Sequence, residues 1–376
     1  MNFGLSAEQQ TLRQSASEFL QRECPITLVR ELQDPRSSGH SPGLWRQMAA
    51  LGWLGLVFPE AYSGAGATLS DLAILYEQAG RALVPTSLYS TIAGALAVLN
   101  AGGEDQKRLI LPRVAAGELI LTLALSEPNA MLDPGFLRTR AVAGSDGYVL
   151  DGTKMFVQNA HLADYLVVVA RTGVGPPAEG VGAFLVEGKA TGLSCRPLHT
   201  FAKDRQSEVR LDQVPVPETG ALGEVGEVWP ALARTLEQIT ALQSVEMVGG
   251  AQLMLDKTVE YLKQRVQFGQ LIGSFQAAQH HAVNMAIEVD GARFTAYQAV
   301  SRLSKGLPAT REVAIAKAVA GEAYKRVSLM AHQLHAGIGY TTEHGLHLWS
   351  ARAKATELSL GTYDHHLETV AQEMGL

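Results

Sequence analysis

The spacing of apolar residues changes period twice along the chain, and each change predicts a different kind of element. Between residues 6 and 117 apolar positions recur every three or four residues. Leu12, Ala16, Phe19 and Leu20 form one stripe and residues 69–83 another, a pattern that predicts amphipathic helices. The crossing between them, Pro59-Glu60-Ala61-Tyr62-Ser63-Gly64-Ala65-Gly66, is built of turn formers and predicts an interhelical loop. Over residues 121–218 the period becomes two. Tyr148-Val149-Leu150 and Lys154-Met155-Phe156-Val157 flank Asp151-Gly152, a pair that predicts a hairpin turn, and residues 165–170, 182–186 and 207–211 add further β-rich runs. Helical spacing then returns over 228–265, 276–303, 311–335 and 346–373. Pro308 and Gly337-Ile338-Gly339 are its breaks, and Gly249-Gly250 predicts a close helix contact.

The expected fold class is therefore α+β, in three parts: an N-terminal helical domain over 1–120, a middle antiparallel β domain over 121–224, and a C-terminal bundle of four helical segments over 225–376. Helix–sheet–helix order, with no βαβ repeat and no early GxGxxG, excludes a doubly wound nucleotide-binding fold.

Composition narrows the class further. The chain has 376 residues, 47% of them hydrophobic, enough for a core that needs no covalent staples. Cys24 and Cys195 stand far apart and form no metal-binding spacing, so they read as free thiols of a reducing compartment. The N-terminus lacks a basic start followed by an apolar run, and no apolar stretch approaches the roughly 20 residues that span a bilayer, so the expectation is a cytoplasmic protein without a transmembrane segment. A net charge of -6 with scattered Lys and Arg argues against a nucleic-acid partner.

Four separated motifs carry a family resemblance. Pro59 to Gly66 is similar to PExYGGxG; Leu123-Ala124-Leu125-Ser126-Glu127-Pro128 to LAxTEP; Gly152 to Arg171 to GxKxxITNxxxADxxxVxAR; and Arg265-Val266-Gln267-Phe268-Gly269 with Gln276 and Gln279 to RxxFGxxIxxxQxxQ. In this order, over nearly the whole chain, they resemble the acyl-CoA dehydrogenase family. The resemblance implies FAD as cofactor, an acyl-CoA thioester as substrate and an electron-transfer flavoprotein or comparable acceptor. It places Leu125 and Ser126 near the flavin ring, and Phe156, Val157 and Gln158 along its other approach. Arg265, Phe268, Gln333 and Gly337 fall in a pyrophosphate- and adenine-side clasp that family members share across a subunit interface. Ser126 keeps a hydroxyl able to stabilise charge on a reduced flavin, Phe156 keeps a flat apolar surface, and Arg265 offers a fixed cationic fork. Met131-Leu132 replace the family's Gly-Ser, Gln158 replaces a threonine, and Ala336 replaces the first glycine of QxxGGxG.

The family chemistry pairs hydride transfer to the flavin with removal of the α-proton by a glutamate, and the two must be aligned. That glutamate precedes Gly-Thr near the chain end, where this chain has Leu360-Gly361-Thr362. A second family base position falls on Ile239. A hydrocarbon accepts no proton, so neither position is catalytic; Glu246, seven residues beyond Ile239 on the same helix face, is the weak alternative, and Glu237 points elsewhere. Asp364, His365, His366, Glu368 and His335 lack the HExxH spacing, and no metal is expected. The leading expectation is a base-less subunit, in lipid or steroid degradation, that pairs with a homologous glutamate-bearing subunit in a heterotetramer. Two others stand beside it: a flavin-dependent acyl-CoA enzyme with a different base or reaction, and a non-catalytic acyl-CoA-binding or scaffold protein.

Overall fold

The computed structural model describes residues 4–129, 132–173 and 176–376. Met131 therefore lies outside the described residues. Six helices come first: α1 (Ala7–Glu23), α2 (Ile26–Gln33), α3 (Pro42–Ala50), α4 (Leu69–Ala82), α5 (Ser87–Ala101) and α6 (Glu104–Ala115). Eight strands follow: β1 (Leu121–Ala124), β2 (Arg140–Gly144), β3 (Gly147–Gln158), β4 (Tyr165–Arg171), β5 (Val181–Glu187), β6 (Leu193–Leu198), β7 (Gln206–Pro217) and β8 (Ala221–Gly226). The rest is α7 (Trp229–Gln264), a small hairpin of β9 (Val266–Gln267) and β10 (Gln270–Leu271), α8 (Gln276–Ser304), α9 (Thr310–His335), α10 (Leu346–Leu358) and α11 (Tyr363–Glu373). Helical ends, a central sheet and a helical C-terminal part give the expected α+β class.

By internal contacts the chain divides into two compact units. One comprises residues up to 29, 68–84 and 237–376; the other comprises 30–67 and 85–236. The first is all helix apart from the β9–β10 hairpin. Its α1 opens on a capping box in which Ser6 and Gln9 satisfy each other's backbone donors. The Gly249-Gly250 pair does lie at close contacts: a Cβ on Gly249 would stand 1.9 Å from the Glu77 carbonyl oxygen of α4, and one on Gly250 would stand 2.2 Å from the Tyr324 hydroxyl of α9. Only glycine lets α7 approach both.

The second unit is built on a sheet of order β6-β7-β3-β2-β4-β5-β8, with β1 added alongside β4. On β4, Val167 and Val169 join one buried cluster with Ala95 and Val98 of α5 and Leu111 of α6. Leu166, Val168 and Ala170 face the opposite way into a second cluster with Leu150, Phe184 and Val209. Both faces of β4 are covered, which is why its sequence is an unbroken apolar run.

Three local expectations are corrected. The sheet is mixed, because β1 runs parallel to β4 and β2 meets it in parallel at Arg140 and Arg171. Asp151-Gly152 is not a turn but the middle of β3; the β2–β3 hairpin turns at Ser145-Asp146. Gly152 is required there by space, since a Cβ would stand 2.7 Å from Thr139 Cα, while Asp151 Oδ1 accepts from Gln213 N at a bulge of β7. The last helical segment is two helices, α10 and α11, broken where Leu360 and Gly361 take φ of 54° and 95°.

Candidate active site

In the sheet-bearing unit the expected ring-side residues gather on two adjoining stretches. Leu125 and Ser126 follow β1 in a short loop, and the Ser126 carbonyl accepts from Met155 N of β3 at 2.8 Å. Just beyond, β3 carries one extra residue against β7 between Lys154 and Val157. Phe156 occupies this bulge with φ 57°, an unfavourable conformation for a side chain with a Cβ, and leaves 51% of its surface exposed. Val157 is buried inward, whereas the Gln158 carbonyl accepts from Thr122 Oγ1 of β1 at 2.6 Å. All five residues thus sit on β3 or on the loop after β1, which are tied directly to one another. Leu132 is half-buried against the cluster on the α5–α6 side of the sheet.

Beneath this loop lies a pair that sequence reading did not single out. Lys154 is fully buried and its Nζ stands 2.7 Å from Glu127 Oε1 and 3.0 Å from the Leu125 carbonyl oxygen. Burial drives its ammonium below the ordinary lysine value, to about 8, against the opposing pull of Glu127. The signal was present, since both residues fall inside quoted motifs, but a motif does not report burial.

In the helical unit the other expected residues lie at two helix ends. Arg265 leaves the end of α7, its guanidinium exposed and without an acceptor among the described residues, and the β9–β10 hairpin turns through Phe268-Gly269 at φ 54° and 80°. Two consecutive positive φ values make the tight turn that matches strand twist, usually filled by Asn-Gly. Phe268 instead occupies it with 91% of its surface exposed, touched edge-on by Phe275 at 6.1 Å. Gln333 is exposed on the last turn of α9, and a Cβ on Gly337 would meet nothing within 4 Å. Within its own chain Gly337 is not needed for space. Ala336 between them holds φ 52° and ψ -137°, a region that favours glycine.

The expected base positions lie elsewhere in the same unit. Leu360 is half-buried in the α10–α11 turn, and that turn is held by two buried side chains: Lys317, which sequence reading missed, and His366, which it named only within a polar set. Lys317 of α9 donates to the carbonyl oxygens of Thr356 at 2.8 Å and of Glu357 and Gly361 at 3.2 Å. His366 Nε2 donates to the Leu360 carbonyl at 2.9 Å. Burial pushes Lys317 down to about 7 and His366 down to about 4, so the imidazole is neutral at physiological pH. Ser359 Oγ donates to Gln243 Oε1 at 3.0 Å, one helical turn from Ile239 on α7. The second base position, itself buried, is therefore on the helix face that meets the Leu360 turn. Glu246 is buried farther along, with Arg352 Nε 3.7 Å from its carboxylate, and Glu237 accepts from Thr310 Oγ1. Among the described residues no group of three or more His, Cys, Asp or Glu could hold a metal ion, and His335 lies on α9 with its Nδ1 on the Ala331 carbonyl.

Family models match almost the entire chain: the acyl-CoA dehydrogenase N-terminal domain over 6–118, the middle domain over 122–214 and the C-terminal domain over 229–375. The chain belongs to the acyl-CoA dehydrogenase family. It is 32% identical to a probable acyl-CoA dehydrogenase, YngJ, of Bacillus subtilis over 100% of both chains. It is 30% identical to CarC, a caffeyl-CoA reductase–Etf complex subunit of Acetobacterium woodii, over 90% of each. Among solved structures, butyryl-CoA dehydrogenase from Megasphaera elsdenii superposes with a TM-score of 0.94 at 28% identity, covering 100% of both. A Tcur3481-Tcur3483 steroid ACAD variant does so with a TM-score of 0.88 at 32% identity, covering 98% of both.

Acyl-CoA dehydrogenases are FAD-dependent oxidoreductases, and each unit of this member presents groups of a chemistry that such a cofactor takes. The bulge that turns Phe156 outward offers a flat apolar face beside the Ser126 loop. The unpaired Arg265 guanidinium, the exposed Phe268 ring and the open space over Gly337 suit an anionic group with an aromatic end. No helix is long and apolar enough to cross a membrane among the described residues.

Proposed function

We propose that this chain is the base-less subunit of an FAD-dependent acyl-CoA dehydrogenase that introduces an α,β double bond into an acyl-CoA thioester. The observation that carries the proposal is the Leu360 turn. Lys317 and His366 hold the backbone where relatives seat a glutamate, yet the side chain on it is a hydrocarbon. Bound FAD supplies the hydride acceptor. The chain's own residues do the rest of its share: Ser126 offers a hydroxyl to the ring side, Phe156 packs against it, and Arg265 with Gln333 holds the phosphate-bearing half, reaching the cofactor of a neighbouring subunit. The α-proton passes to a glutamate of a homologous partner subunit, in a mixed tetramer. The pairing of two names in the Tcur3481-Tcur3483 steroid ACAD supports this reading, and the Etf complex of CarC supports an electron-transfer flavoprotein as acceptor. Steroid-linked or fatty acyl thioesters are the substrate class, and the cytoplasm is the proposed site of action.

The deciding measurement is flavin reduction under excess acyl-CoA, with the chain alone, with its co-purified partner, and as Leu360→Glu. The isolated chain should reduce its flavin negligibly, and the partner should restore turnover. Leu360→Glu should raise the reduction rate of the isolated chain by at least about two decades, the lower range of general-base contributions. Full turnover by the unmodified, partner-free chain sinks the proposal. Recruitment of Glu246 as base is disfavoured by its burial and its Arg352 contact.

A further inference from the structure

The ring-side loop is fastened by chemistry that a hydrophobic core does not need. Lys154 Nζ holds the Leu125 carbonyl and the Glu127 carboxylate together, so one side chain grips the loop on both sides of Ser126. Glu127, 2% exposed, also accepts from Arg138 N at 2.6 Å and Thr139 N at 3.0 Å. Ser126 itself is bonded through its carbonyl to Met155 N, the residue next to Lys154. Phe156 comes next, at the bulge. A three-residue stretch of β3 thereby fixes the loop backbone and aims the exposed aromatic ring.

The attraction between the two charges alone gives little reason for the pair. Apolar replacements of similar volume are often neutral or stabilising where an ion pair is buried, because two charges lose their hydration. Burial lowers the ammonium of Lys154, while Lys154 and the Thr139 amide hold the Glu127 carboxyl below its usual value against the same burial, so the two groups respond to the pair in opposite ways. What an apolar pair would lack is direction: it would leave the Leu125 carbonyl and the amides of Arg138 and Thr139 without their partners.

We propose that Glu127 and Lys154 are positioning residues for the flavin, holding residues 125–127 and Phe156 in register as a preformed seat for the isoalloxazine ring on this chain. The inference rests on reading Leu125, Ser126 and Phe156 as flavin-facing. It adds that the backbone of the ring's seat is held in place by a buried pair on either side of Ser126.

The test is an FAD titration of the purified native assembly beside one carrying Glu127→Gln with Lys154→Met, read by visible flavin spectrum and by thermal midpoint of the apo form. The variant should melt within a few degrees of the wild type or above it. Its FAD dissociation constant should rise at least tenfold, and its flavin bands should move toward those of free FAD. A variant that binds FAD with unchanged affinity and spectrum overturns the positioning role and leaves the flavoenzyme reading standing. A wild-type assembly that takes up no FAD overturns both. If the double variant does not fold, Glu127→Gln alone decides. It keeps an acceptor for the two backbone amides, and FAD binding weakened threefold or more supports the role, whereas unchanged binding overturns it.

Discussion

At residue scale, the most informative positions are those where a side chain occupies a backbone conformation suited to glycine. Ala336, at φ 52° and ψ -137°, is one of them. Strain at such a position is of the order of 1–3 kcal/mol, and glycine returns roughly 0.5–1 kcal/mol of it as unfolded-state entropy. Ala336→Gly should therefore raise unfolding free energy by about 1 kcal/mol, visible as a higher urea midpoint with an unchanged slope; a lower midpoint would show the methyl to be packed favourably. Leu360, also at positive φ, is the expected base position because Gly361-Thr362 fixes the alignment with the family motif. Lys317 and Lys154 were not legible in the sequence. A lysine amid apolar neighbours reads as a surface charge until the fold shows what surrounds it, and only burial distinguishes the two.

At the scale of elements, the long helices were readable because each repeats its period many times, so α7, α8 and α9 fall within a residue or two of the expected bounds. Short-range signals were less dependable. Asp151-Gly152 has the composition of a turn, but pairing along β7 kept β3 continuous through it and moved the turn to Ser145-Asp146. The break between α10 and α11 was hidden for a related reason: Leu360 is a good helix former, and its departure from helical geometry is secured by Lys317 from another helix. That anchor has a pH signature. In the unfolded chain Lys317 binds its proton up to about pH 10.4, and in the folded chain only to about 7. Between those values the unfolded state holds the extra proton, so stability rises with pH across the window, by up to about 1.4 kcal/mol per unit from this group. Lys317→Met lacks the contribution. Urea unfolding at pH 6.5 and 8.5 should show the wild type gaining on the variant; parallel curves would mean that the folded lysine keeps an ordinary affinity for its proton.

At the scale of the whole molecule, family membership was legible from the order of four motifs, but the distribution of contacts was not. The N-terminal helices divide, with α1 and α4 in one compact unit and α3, α5 and α6 in the other, a partition set by which face each helix buries and not by sequence order. Arg265 belongs to the proposed assembly. In the proposed mixed tetramer its guanidinium contributes a charge-assisted phosphate contact of roughly 1.5–3 kcal/mol, so Arg265→Ala should weaken FAD retention about ten- to over a hundredfold. A flavin titration of the mixed assembly checks this, and unaltered affinity would leave Arg265 as an ordinary helix-end charge. The same hairpin bears on the life of the chain before assembly. Phe268 stands almost wholly in water at the tip of a turn, with Val266 and Leu271 also exposed beside it. A subunit made in excess would present this tip to chaperones and proteases, which recognise uncovered apolar segments, so the cellular level of the chain should follow the supply of whatever covers it.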